Sequence, residues 1–204
     1  MLDRRQVAAV LVLGAVVAGT AAAARADNHS LAASLRAGMP AARQIATIQF
    51  NPFLPGSPPV ETVTGKVNYT VYGRETRAIA AFLARLSRIR ASLIVGRQSI
   101  AADSGSTASG RVGRTLALQG FAALLKAVAD VRALAELKGQ MLEDAIRDAP
   151  QDAACFDGTG SCDMSARSAR IKRQAAKRGA AISAYGRDRD AGMALLKAAA
   201  TRLA

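Results

Sequence analysis

Tryptophan is absent from this chain, and its aromatic residues are five Phe and three Tyr. Without large rings to fill a wide interior, the core must be built from Ala, Leu, Ile and Val in closely spaced elements, which favours helices packed through alanine. Histidine occurs once, as His29. A Ser-His-Asp or Cys-His nucleophile would have to use that one residue, so the common hydrolase constellations have little support. Cysteine occurs twice, as Cys155 and Cys162. Their spacing matches neither a C-x-x-C redox motif nor a zinc ligand pair, and no second His or Cys cluster completes a metal site. Acidic residues are also scarce, 15 against 28 Lys and Arg, for a formal net charge of +13.

What is present begins with the pattern of an export signal. Arg4 and Arg5 precede an apolar run from Val7 to Ala24 made of Val, Leu, Ala and Gly, and Ala24-Arg25-Ala26 supplies a small-x-small cleavage pattern. Cleavage is expected between Ala26 and Asp27, placing the mature chain in the periplasm or outside the cell. A run of about 18 apolar residues is just long enough to span a bilayer as an uncleaved anchor, but Ala and Gly dilute it. Arg4-Arg5 fits a twin-arginine signal only loosely because Asp3 precedes the pair. No Cys stands near the cut, which disfavours a lipid-anchored protein. Cleavage would remove three arginines and one aspartate, leaving +11 over 178 residues, enough chain for one domain that buries about 70% of its unfolded surface.

The organisation expected is a signal peptide over 1–26, an irregular segment over 27–73 and a helical remainder over 74–204. Residues 30–48 suit one or two short helices broken at Gly38 and Pro40, and four prolines between Asn51 and Pro59 exclude a regular element there. Val67, Tyr69 and Val71 alternate with polar residues, so Val60–Tyr72 can carry a small β-hairpin turning at Thr64-Gly65-Lys66. Three apolar stripes of helical period then predict helices over about 74–102, 113–148 and 165 to the carboxyl end. The last has glycines at 179, 186 and 192 as points of interruption. The fold class predicted is therefore mainly all-α: an antiparallel three-helix bundle behind an irregular amino-terminal segment. A loop over 148–164 joins the second and third of these helices and holds the two cysteines. In an oxidising compartment Cys155 and Cys162 are expected to close as a disulfide, since Phe156 to Ser161 is turn-rich.

Candidate chemistry is sparse. Glu143 with Asp144, or Asp188 with Asp190, could pair in a cleft, but adjacent charges on a helix ordinarily face solvent. Gly105 to Gly110 lacks the Lys and Ser/Thr of a phosphate loop and no strand leads into it. Asp152, Asp157 and Asp163 do not have the spacing of a calcium-binding helix-loop-helix. A more specific arrangement comes from the cut itself. A mature chain starting Asp27-Asn28-His29 presents an amine, two backbone amides and an imidazole, a square-planar nitrogen set suited to Cu(II) or Ni(II). The tripeptide resembles the amino-terminal copper and nickel site of several secreted proteins.

The second candidate site is a basic surface at the start of the last helix, carried by Arg167, Arg170, Lys172, Arg173, Lys177 and Arg178. Nucleic acid is disfavoured as its partner, because export removes it from reach and aromatics for base stacking are nearly absent. Anionic lipid headgroups, an acidic envelope polymer or an acidic envelope protein fit better. The function expected is a non-enzymatic helical binding or scaffold module of the bacterial-type cell envelope. The alternatives are a component of a type IV secretion or conjugation apparatus, a periplasmic holdase chaperone, or a Cu(II)/Ni(II)-binding protein. Exported helical bundles of this size serve in the first two roles, an analogy of shape alone.

Overall fold

In a computed structural model, residues 28–48, 60, 66–160, 162 and 164–204 are described, and among them four helices carry the fold. They are α1 over 28–46, α2 over Tyr69–Ala102, α3 over Ala108–Phe156 and α4 over Ser165–Leu203. The expected all-α class holds, and α1 joins the three helices predicted from the apolar stripes. The expected signal peptide, with Asp27, lies outside the described residues.

The break anticipated at Gly38 and Pro40 does not occur, because α1 runs through both. Leu31, Leu35, Ala42 and Ile45 form one buried stripe, and that burial outweighs the local penalties of glycine and proline. Pro40 sits on the exposed side, where water can take the carbonyl that loses its partner. The buried Gly38 lies where α1 crosses Phe121 of α3: a β-carbon there would come 2.8 Å from Cε1 of that ring and 3.5 Å from the Cα of Gly96 in α2. The bare backbone is what lets three helices meet over one aromatic ring.

From Tyr69 on, the strand expected around Val67 to Val71 is replaced by the first turn of α2. The Asn68 side chain accepts a hydrogen bond from the Val71 N–H at 3.1 Å, and this cap opens the helix five residues before the predicted start. Among the described residues, the hairpin region retains one antiparallel bridge between Val60 and Val67; its turn at 64–65 lies outside them. Further along α2, Leu86, Ile89, Leu93 and Ile100 are buried, as the spacing predicted.

Both ends of α3 differ from expectation. Thr107 caps the helix, its Oγ1 accepting from the Gly110 N–H at 2.8 Å, which brings the start forward to Ala108. At the other end the helix continues past Pro150, again on an exposed side. It stops where Gly158 adopts a φ of 68° and the N–H groups of Thr159 and Gly160 each donate to the Ala154 carbonyl at 3.0 Å. The first half of the loop predicted over 148–164 is therefore helix, with Cys155 in the last turn of α3. Cys155 and Cys162 form a disulfide, their Cα atoms 4.9 Å apart. This small ring contributes about 2.5 kcal/mol by restricting the unfolded chain.

α4 starts at the predicted residue and is not interrupted at Gly179, Gly186 or Gly192. Gly192 is buried at a close crossing with α3, where an added β-carbon would lie 2.7 Å from Leu124 Cγ and 3.0 Å from the Gly120 carbonyl. The α3 and α4 register is antiparallel: Gly113 meets Leu203, Gly120 meets Leu196, and Asp148 meets Arg170. From Pro150 to Ala184 no described residue is buried. The distal part of the α3/α4 pair is thus held by charge and by the disulfide rather than by a core.

Candidate anion-binding surface

The six basic residues expected to form one surface on α4 divide into two groups. On the facing side of α3, Asp144, Asp148 and Asp152 repeat every fourth residue and so form a stripe. Arg167 pairs with Asp152 and lies 3.8 Å from Asp148. Arg170 pairs with Asp148 and lies 3.4 Å from Asp144, which also accepts from Gln174 at 2.7 Å. Arg147 joins from α3 itself, pairing with Asp144 and lying 3.6 Å from Asp148. The acids are largely covered, with Asp148 13% exposed and Asp152 10%, so this is a connected network rather than a set of solvated pairs. Arg167 and Arg170 are committed to it. Lys172, Arg173 and Lys177 remain exposed and Arg178 is half-buried.

A larger basic surface lies on α2. Arg74, Arg77, Arg85 and Arg88 are all exposed and recur at spacings of three, eight and three, which places them along one side of the helix for about 21 Å. Arg90 and Arg97 occupy the opposite flank of its buried stripe. The single acid within α2, Glu75, is taken by Lys138 of α3 at 2.8 Å and approached by Arg74 at 3.8 Å. Arg77, Arg85, Arg88, Arg90 and Arg97 have no ion-pair partner among the described residues. In sequence these arginines alternate with the apolar stripe of an amphipathic helix. What marks them as a surface of their own is the near absence of acid on the same helix.

The carboxylates proposed as close pairs from sequence do not come together as active dyads. Asp144 belongs to the network above, Glu143 is exposed, and Asp190 is held by Arg189 at 2.8 Å. Asp188 is held by Arg187 at 3.3 Å, and its charge also acts on Asp130 of α3, a residue far from it in sequence. The Oδ2 of Asp130 is buried with no hydrogen-bond partner. Burial first, and the Asp188 charge second, hold its carboxyl above the ordinary value of 3.8, partly offset by Arg187. The folded chain therefore binds this proton more tightly than the unfolded one, so the associated stability falls as pH rises from about 3.8 through the raised value. Asp130→Asn is expected to melt at a higher temperature than the parent at pH 7, with the gap closing in acid below that window. Thermal denaturation followed by circular dichroism at the two pH values checks this, and a lower melting temperature at pH 7 would refute it.

Of the proposed copper or nickel site, Asn28 and His29 are in the first turn of α1 and Asp27 is outside the described residues. The Asn28 side chain accepts from the Thr107 hydroxyl at 2.9 Å, which ties the start of α1 to the cap of α3. The Gly105 to Gly110 segment is the capped turn between α2 and α3, and the Ser30 and Ser34 hydroxyls donate to Asp103 at its start, at 3.1 and 3.2 Å. Among the described residues no group of three or more His, Cys, Asp or Glu side chains stands close enough to hold a metal. Compared with protein-family models, curated proteins and solved structures, the chain matches none.

Proposed function

We propose that this protein is a non-enzymatic helical binding module of the cell envelope that docks through the arginine side of α2 onto an anionic lipid surface. The observation that carries the reading is the stripe Arg74, Arg77, Arg85 and Arg88, exposed on a helix whose only acid is already paired. Lys172, Arg173 and Lys177 on α4 add exposed positive charge, and the export pattern of the sequence favours envelope lipid over nucleic acid as the polyanion met. Each arginine brought to an anionic headgroup layer contributes about 1 kcal/mol, and salt screens the attraction.

The test is sedimentation with vesicles. The chain is expected to pellet with vesicles rich in phosphatidylglycerol and not with phosphatidylcholine alone, and high salt should release it. Replacing Arg77, Arg85 and Arg88 together by Gln should weaken this binding on the order of a hundredfold. Because those side chains are exposed, the variant should melt within a few degrees of the parent. Binding that ignores salt, or that survives the triple substitution unchanged, would overturn the proposal.

A further inference from the structure

A groove of about 920 Å³ lies between α1 and α4. The two helices are antiparallel: Tyr185 of α4 hydrogen-bonds the Ile45 carbonyl at the end of α1, whereas Leu203 and Ala204 line the groove together with Asn28 and His29. Between these ends the gap stays open because Ala32, Ala194 and Ala200 are too short to bridge it. Its floor is apolar, with Leu35, Leu196 and Leu203 buried and Met39 and Met193 partly covered. Its rim is cationic, with Arg36 and Arg43 two turns apart on α1 and Lys197 on α4, all exposed. None of these three has an ion-pair partner among the described residues, and no Asp or Glu is among the lining residues.

We infer that this groove binds a single-chain anionic amphiphile, a long-chain carboxylate, with its alkyl chain along the leucine and methionine floor and its headgroup at Arg36, Arg43 or Lys197. An apolar trough with a few convergent charges of one sign is the ordinary make-up of a small-ligand site. Methionine on both walls lets the floor adapt to a chain without fixed shape. Arginine offers a carboxylate two parallel donors, which favours that headgroup over a neutral or cationic one. From Asn28 to Arg43 the α1 wall is about 22 Å long, the length of an extended fatty acid. The groove is lined by residues of α1 and α4 and by none of α2, so this site is separate in place from the α2 surface.

Calorimetric titration of the full chain with laurate, below the concentration at which laurate forms micelles, tests the site. One-to-one binding is expected, with dodecyltrimethylammonium, which has the same chain and the opposite charge, at least tenfold weaker. Arg36→Glu with Lys197→Glu should lower laurate affinity tenfold or more, and Ala200→Phe should abolish it by filling the groove. All three positions are exposed, and a melting curve shared with the parent shows that the variants fold. The Arg77, Arg85 and Arg88 triple variant should keep its laurate affinity while losing vesicle binding, so the two readings fail independently. Absence of laurate binding, equal affinity for the cationic analogue, or unchanged binding in Ala200→Phe would overturn the inference. So would a dimer of the parent chain that Ala200→Phe dissociates, which would make a second copy the occupant.

Discussion

Truncating Phe121 to alanine is expected to lower the stability of the protein by about 3–5 kcal/mol, the range for removing a fully buried aromatic side chain. The ring is 0% exposed and fills the point where α1, α2 and α3 converge, under the glycines at 38 and 96. The two facing positions, Gly38 and Gly96, have no side chain that could fill the space. The complementary substitution makes the geometry testable. Gly38→Ala places a methyl group against the ring edge and should be destabilising by about 1–3 kcal/mol, even though alanine gains about 1 kcal/mol over glycine in a helix. Combining Gly38→Ala with Phe121→Leu should then cost clearly less than the two changes summed, because the smaller side chain admits the methyl group. Urea denaturation followed by circular dichroism measures Phe121→Ala and the four members of the Gly38→Ala/Phe121→Leu cycle. A cost below 1 kcal/mol for Phe121→Ala, or strict additivity of the pair, would show that the three helices do not meet over this ring.

That junction also explains which parts of the fold were legible in the sequence. The apolar period found α2, α3 and α4 because each presents a long stripe, and α4 begins at the residue its pattern indicated. Gly38 and Pro40 were read as breakers because local rules weigh them by propensity. Their tolerance depends on Phe121, 83 residues beyond Gly38, and on an exposed face for the proline. The same error shortened α3 at Pro150. Val67, Tyr69 and Val71 alternate like a strand, and the signal that overrides them is one residue, Asn68, whose capping role is a recognised sequence cue.

The charge pattern was partly readable as well. Arg167 and Arg170 looked like a free basic stripe when α4 was considered alone. Yet the acids every fourth residue at 144, 148 and 152 stand immediately before a turn closed by Cys155 and Cys162, and a helical hairpin about that turn brings the two stripes into register. Folding the segment back on itself would have found the network. The α1/α4 groove had no such cue. It depends on small residues in two helices about 160 residues apart, and alanine is too common in this chain for three of them to stand out.

The second large effect expected is at Tyr185, and it bears on that groove. Tyr185 is fully buried, and its hydroxyl donates within a pair of contacts to the Ile45 carbonyl at 2.7 Å and the Ile48 carbonyl at 3.2 Å. The Ile45 carbonyl, in the last turn of α1, also accepts from the Ile48 N–H at 3.3 Å, and the Ile48 carbonyl lies two residues past the helix, so one side chain of α4 both fills the core and ties down the end of α1. Tyr185→Phe keeps the ring and should cost about 1–3 kcal/mol, the penalty for leaving buried polar groups unpaired. Tyr185→Ala also removes the ring and should cost about 3–5 kcal/mol or more. Burial is the main cause that raises the phenol above its ordinary value of 10.0, against the opposing pull of Arg189, whose guanidinium lies 5.3 Å from the ring centre. The folded chain therefore retains this proton longer than the unfolded chain, so the stability that Tyr185 adds is complete below about pH 10 and is lost as the pH rises beyond it. Tyr185→Phe should remove that part of the alkaline decline. Because the same contact anchors one end of α1 against α4, the phenylalanine variant should also weaken laurate binding without altering any residue that lines the groove. Unchanged laurate affinity in a folded Tyr185→Phe protein would mean that the width of the groove is set elsewhere.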